Sequence, residues 1–159
     1  MPDTDPTAFA LYHQFLYTGQ IPSKTPDIVE HTSLCNLYNL AFSLQDTAAQ
    51  NAACDAIHAK ATEFTEDIQA ILPAREHIDI IFSGTSEACA GKRLMVDLYT
   101  AHAKGEWFDG GETWPAEFMS KLAVSLMGER PVGVVGQLVK RREEYHVVSG
   151  EKDGVGVEL

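Results

Sequence analysis

Cysteine is scarce in this chain: Cys35, Cys54 and Cys89 are the only three in 159 residues. An odd, widely spaced set excludes a framework that pairs every thiol, and it suits a reducing compartment. Long apolar runs are missing too. None approaches the roughly 18 residues a helix needs to cross a bilayer, which excludes such a span. The opening Met1-Pro-Asp-Thr-Asp-Pro has no basic-then-apolar pattern of a secretory signal, so an intracellular protein of cytoplasm, nucleus or both is expected. Positive charge is the third shortage. Twelve Lys and Arg stand against 23 Asp and Glu, a formal net charge of -11, which disfavours contact with a phosphate backbone. The deficit is uneven: residues 1–70 hold nine acids and two bases (9 − 2, net -7), and residues 71–159 hold fourteen and ten (14 − 10, net -4). The one basic cluster, Lys140-Arg141-Arg142, is followed at once by Glu143-Glu144 and reads as a solvated helix face. Internal repeats and low-complexity segments are lacking as well.

Helical patterning is what the sequence has in quantity. Asp5-Pro6 is a helix start, and Phe9, Tyr12, Phe15 and Leu16 fall on one broad face after it. Gly19 supplies a left-handed stop and Pro22 prevents continuation. A second helix is expected over about 27–44, burying Leu34, Leu37, Tyr38, Ala41 and Leu44. Asp46 caps a third, through about Thr62, whose Ala48, Ala49, Ala52, Ala53 and Ala56 permit close approach. The short link at Gln45-Asp46 makes these two an antiparallel hairpin. Residues 63–75 read as a connector. HIDIIFSG (77–84) alternates like a strand but stands among helices, and is read as a short helix. Thr85 or Ser86 is expected to cap a helix through His102, with Leu94, Leu98 and Tyr99 inward. A glycine-bearing loop separates Trp107 from Trp114. Pro115 then opens a helix burying Phe118, Leu122 and Leu126 and ending at Gly128. Residues 132–145 form a weaker helix, and the tail 149–159 is expected to be disordered. The fold class is therefore all-α: an irregular bundle of about five to seven helices with no substantial sheet.

Residues with chemistry are thinly spread. His31 with Cys35, and Cys54 with His58, are i,i+4 couples on the two arms of the hairpin, a donor set that would suit tetrahedral zinc. Both cysteines fall at apolar helical positions, and His31 falls in what reads as a frayed first turn, so core packing is the preferred reading. Ser86, Ser120 and Ser125 lack the glycine-flanked elbow of a nucleophile. GVVGQLVKR lacks phosphate-loop spacing. Asp27, Glu30, Glu63, Glu66 and Asp67 flank helix ends, where acids are usually solvated. Trp107 and Trp114 could flank a peptide groove, but they read more simply as a loop tucked onto the core. No catalytic residue, cofactor or metal site is expected.

The order of these segments resembles a known family. DPTAFALYHQFLYTGQIP (5–22) is similar to the closing helix of a BTB/POZ domain in its filamentous-fungal form, where a phenylalanine-bearing helix runs into a tyrosine-threonine-glycine stop. LCNLYNLAFSLQDTAAQNAACDAI (34–57) continues the likeness through Leu44-Gln45-Asp46 and Asn51-Ala52. IIFSGTSEACAGKRLMVDLYTAHA (80–103), with Gly84-Thr85, Arg93 and Val96-Asp97, and PAEFMSKLA (115–123) resemble the family's helical extension. About 110 residues take part. The resemblance implies residues 1–62 as the late helices of such a domain and 63–148 as an extension packed on them. It also implies a non-catalytic adaptor or scaffold, some of whose relatives recruit substrates to cullin-type ubiquitin ligases.

The sheet and early helices that open a complete domain have no counterpart here, so the family's usual dimer surface does not carry over. The first helix is then expected to keep part of its apolar arc uncovered. Phe9, Leu11, Tyr12, Phe15, Leu16 and Tyr17 are the candidate surface for a protein partner or for self-association. A small helical protein that binds a metal or ligand, or a shortened product without independent function, is the alternative.

Overall fold

The computed structural model describes residues 5–21, 27–62, 71–86 and 88–128, with side chains of 27–29 left aside. Among these residues the architecture is all-α. The helices are α1 (Pro6–Thr18), α2 (Asp27–Ser43), α3 (Thr47–Ala61), α4 (Arg75–Gly84), α5 (Ala90–His102) and α6 (Ala116–Gly128), with one 3-10 helix at Gly105–Phe108. Residues Met1–Leu126 form one compact unit. A second unit, Met127–Leu159, lies outside the described residues beyond Gly128. Residues 63–70 of the connector expected at 63–75, the stop at Pro22, the helix at 132–145, the basic cluster at 140–142 and the tail at 149–159 fall outside them as well.

The α2–α3 hairpin is the centre of the unit, with α1, α4 and α5 packed on it. Leu34, Cys35, Leu37, Tyr38 and Ala41 of α2 are buried at helical spacing, and Ala49, Ala53, Ile57 and Ala61 of α3 face them. Alanine at 49 and 53 brings the two backbones close. Gln45, with φ 58, makes the reversal, and Asp46 caps α3 by accepting from the Ala49 amide at 3.0 Å. The short helix expected within 77–84 is present as part of α4, which buries Ile78, Ile81 and Phe82. Ile78, Ile81 and Phe82 are spaced as one helical face, and Ile80 packs at its edge, partly buried.

Several expectations are corrected. Neither Thr85 nor Ser86 caps α5. Thr85 ends α4, its hydroxyl donating to the Ile81 carbonyl at 2.6 Å, and α5 starts later, after Cys89. Leu44 and Leu126 are exposed, each at or near a helix end, past the stretch of its helix that meets the core. Ala48 is exposed, while Ala52 and Ala56 are half-buried. His31 is fully buried rather than frayed, and Glu30 is buried rather than solvated.

One close approach needs a glycine. The Gly91 amide donates to the buried Tyr38 hydroxyl at 3.0 Å, and the α5 backbone lies flat against that ring. A Cβ at position 91 would stand 2.7 Å from Tyr38 Cε1. Beyond α5, Tyr99 gathers the second aromatic cluster. Phe118 and Trp114 meet it edge-on at 5.3 and 5.7 Å between centroids, and Trp107 does so at 6.4 Å. The tryptophan loop is thus tucked on the core at Trp114, while Trp107 stays largely exposed.

Candidate interaction surface

The surface on α1 begins with how that helix is fixed. Asp5 caps it by accepting from the Thr7 amide at 3.0 Å, and the other oxygen of the same carboxylate accepts from Asn36 Nδ2 of α2 at 3.0 Å. Asp46 repeats this pattern. One of its oxygens caps α3, and the other accepts from the Tyr12 hydroxyl of α1 at 2.9 Å. The Ala49 amide first, and then Tyr12, hold the Asp46 carboxyl below its usual range; Asp46 in turn pushes the Tyr12 phenol up. Ala8 is buried against the hairpin, and Leu11 and Tyr12 pack on the core. Gly19, with φ 67, closes α1 by donating its amide to the Phe15 carbonyl at 2.7 Å.

These anchors divide the expected arc. Leu11, Tyr12 and Phe15 are half-buried and belong to the inner side. Phe9, Leu16 and Tyr17 are 55%, 58% and 78% exposed, so the six-residue arc divides into an inner and an outer stripe. The outer stripe occupies positions 9, 13, 16 and 17, the i, i+4, i+7, i+8 spacing of one helix face. His13 lies against Tyr17 within it, the two rings tilted with centroids 4.7 Å apart. No Asp, Glu, Lys or Arg occurs between Pro6 and Thr18, although the whole chain carries a formal charge of -11.

The zinc couples are not assembled. Cys35 is buried in the core and Cys54 is half-buried, while His58 is exposed. His31 turns its Nε2 to the Ile71 carbonyl at 3.1 Å. Among the described residues, no group of three or more His, Cys, Asp and Glu side chains could hold a metal ion. Burial pushes the Cys35 thiol up to about 12 and that of Cys54 up to about 11. Ser125 accepts from the Thr100 hydroxyl at 2.9 Å, and Ser86 and Ser120 are exposed.

Sequence reasoning missed a buried polar layer between the hairpin and α4. Glu30 pairs with Lys60 at 2.8 Å, both nearly covered. His77 Nδ1 accepts the Ala74 amide at 2.7 Å, half of a capping box with imidazole in place of the usual carboxylate. That bond puts the neutral ring's proton on Nε2, which meets Thr32 Oγ1 at 3.1 Å. His31 lies 5.5 Å from His77 between ring centroids, and burial lowers its pKa. Both rings therefore brace backbone of the 71–74 segment. A capping histidine at the third helix position after Pro73-Ala74 was the available signal.

No described helix is long and apolar enough to cross a membrane. Compared with known proteins, the chain matches no family model, no curated protein and no solved structure.

Proposed function

We propose that this chain is a non-catalytic protein-interaction module, an intracellular adaptor or scaffold of BTB/POZ-like helical type, that docks through the outer stripe of α1. The observation that carries the reading is a helix free of Asp, Glu, Lys and Arg, tied to the hairpin at its N-cap and its middle, that keeps Phe9, Leu16 and Tyr17 in water. Burying such side chains is worth about 25 cal/mol per Å² of apolar surface, so a patch of a few hundred Å² favours docking by several kcal/mol. The absence of charge along α1 lets two copies of an acidic chain meet there without opposing carboxylates at the contact. The inner contacts keep the stripe preorganised, which limits the ordering cost of binding.

Light scattering coupled to chromatography over a dilution series tests this. The wild type should self-associate at high concentration, and Leu16→Glu or Tyr17→Glu should leave a monomer with an unchanged melting temperature. A wild type that stays monomeric at high concentration, with elution identical to both variants, would count against homotypic docking on α1.

A further inference from the structure

We propose that the cavity between the start of α5 and the middle of α6 binds a phosphate monoester. The cavity is about 370 Å³, ample for a phosphate, and is lined by Ala88, Cys89, Lys92, Arg93 and Lys121. The described residues contain six Lys and Arg (Lys60, Arg75, Lys92, Arg93, Lys104 and Lys121), and three of them line this one cavity. In a chain of net charge -11 that concentration is a local reversal of sign. Screening over about 8 Å at physiological salt makes the nearby cations, not the distant acids, decide what enters.

The cations differ in a way that fits anion capture. Lys92 is the fixed one: its side chain is 3% exposed, and its ammonium lies 5.1 Å from the centre of the Phe82 ring. A buried ammonium needs a counter-charge, and Glu117 supplies it at 2.9 Å from α6. Lys121 shares that carboxylate at only 3.7 Å and is half-exposed, a contact of little strength that a ligand can replace. The Arg93 amide donates to the Cys89 carbonyl at 3.3 Å, while its exposed guanidinium has no hydrogen bond or ion pair among the described residues and can make the two parallel bonds that phosphate oxygens accept. Among the described residues, these three cations against the Glu117 carboxylate leave a net of two positive charges (3 − 1), matching a phosphate dianion. The start of α5 adds its dipole, and Cys89 at its N-cap position makes no side-chain bond to the first-turn amides. The same chemistry could arrive as a free phosphorylated metabolite or as a phosphorylated side chain of a peptide.

The full chain, labelled with nitrogen-15, is titrated near neutral pH with inorganic phosphate, with the N-acetyl amide of phosphoserine, and with sodium chloride at equal ionic strength. Saturable shifts of the 88–93 amides with both phosphates, and not with chloride, are expected. Tighter binding of phosphoserine points to a peptide source, and equal or tighter binding of inorganic phosphate to a free one. Arg93→Gln with Lys121→Gln, both solvent-facing changes that leave Lys92 and Glu117 in place, should weaken either ligand by roughly tenfold or more, given the strength of charged hydrogen bonds. Shifts that track chloride, or saturable binding that the double variant retains, would overturn the assignment.

Discussion

Replacing Gly91 by alanine sets two well-measured effects against each other. In an exposed helix interior the change stabilises by about 1 kcal/mol, because alanine loses less backbone freedom than glycine. At position 91 the added carbon would stand 2.7 and 2.9 Å from Cε1 and Cζ of Tyr38, well inside ordinary van der Waals contact. The ring has nowhere to go: Tyr38 is fully buried, and its hydroxyl is tied to the Gly91 amide. Overpacking of this kind costs about 1–3 kcal/mol. Displacing the ring also loses or lengthens a buried hydrogen bond worth about 1 kcal/mol. The balance is a destabilisation of about 1–3 kcal/mol, or a melting temperature lowered by roughly 3–12 °C for a unit of this size.

Urea unfolding followed by circular dichroism reads this difference directly, with Gly105→Ala as a control, since a Cβ there meets nothing within 4 Å. A double-mutant cycle with Tyr38→Leu isolates the contact, because Gly91→Ala should cost less once the ring is gone. If Gly91→Ala proves neutral or stabilising, propensity alone governs the site and the close α2–α5 approach is refuted.

Two further outcomes follow from the titratable groups. Burial depresses the His31 pKa below its unfolded value near 6.5, so the unfolded chain takes up the proton first. Stability is then fully present above about pH 6.5 and falls as pH drops toward the folded pKa, by at most about 1.4 kcal/mol per pH unit for one proton. Urea titrations at pH 7 and pH 5 should show the loss, and His31→Gln should shrink it; an equal slope in the variant would remove His31 as its source. Cys35, with its thiol pushed up to about 12 and no exposed surface, should resist a disulfide reagent at pH 8 until the chain unfolds. Labelling of Cys35 faster than global unfolding, read by peptide mass spectrometry, would contradict its place in the core.

The hairpin was legible because its signals are local. Asp46 caps where a turn must end, and the 34-37-38-41 spacing needs no partner to be recognised. The α1 arc was legible as apolar and as only partly covered, but not which residues face outward, since the position of α2 decides that. Glu30 and Lys60 were missed as a pair, although they stand equally far from the turn at Gln45 (45 − 30 and 60 − 45, both 15). Antiparallel register places them side by side, and no periodicity announces that both are nearly covered. The start of α5 was misplaced because Thr85 has the right side chain for a cap but spends it on the preceding helix. The cationic cavity joins residues 25 or more positions apart on different helices, and sequence spacing carries no trace of that meeting.

Asp5 and Asp46 each serve a helix end with one oxygen and a neighbouring helix with the other. Secondary and tertiary structure are thereby written into the same four atoms. Were α1 to lift away, Asp46 would keep its α3 amide but lose Tyr12, and Asp5 would keep its own first turn but lose Asn36. Each lost bond is worth only about 1 kcal/mol, yet both go together. Lifting the whole helix therefore breaks both ties, while fraying from Pro6 breaks only the first. A load placed on Phe9, Leu16 or Tyr17 would reach the body of α2 through Asn36 and the cap of α3 through Asp46, so the outer stripe of α1 is coupled to both arms of the hairpin.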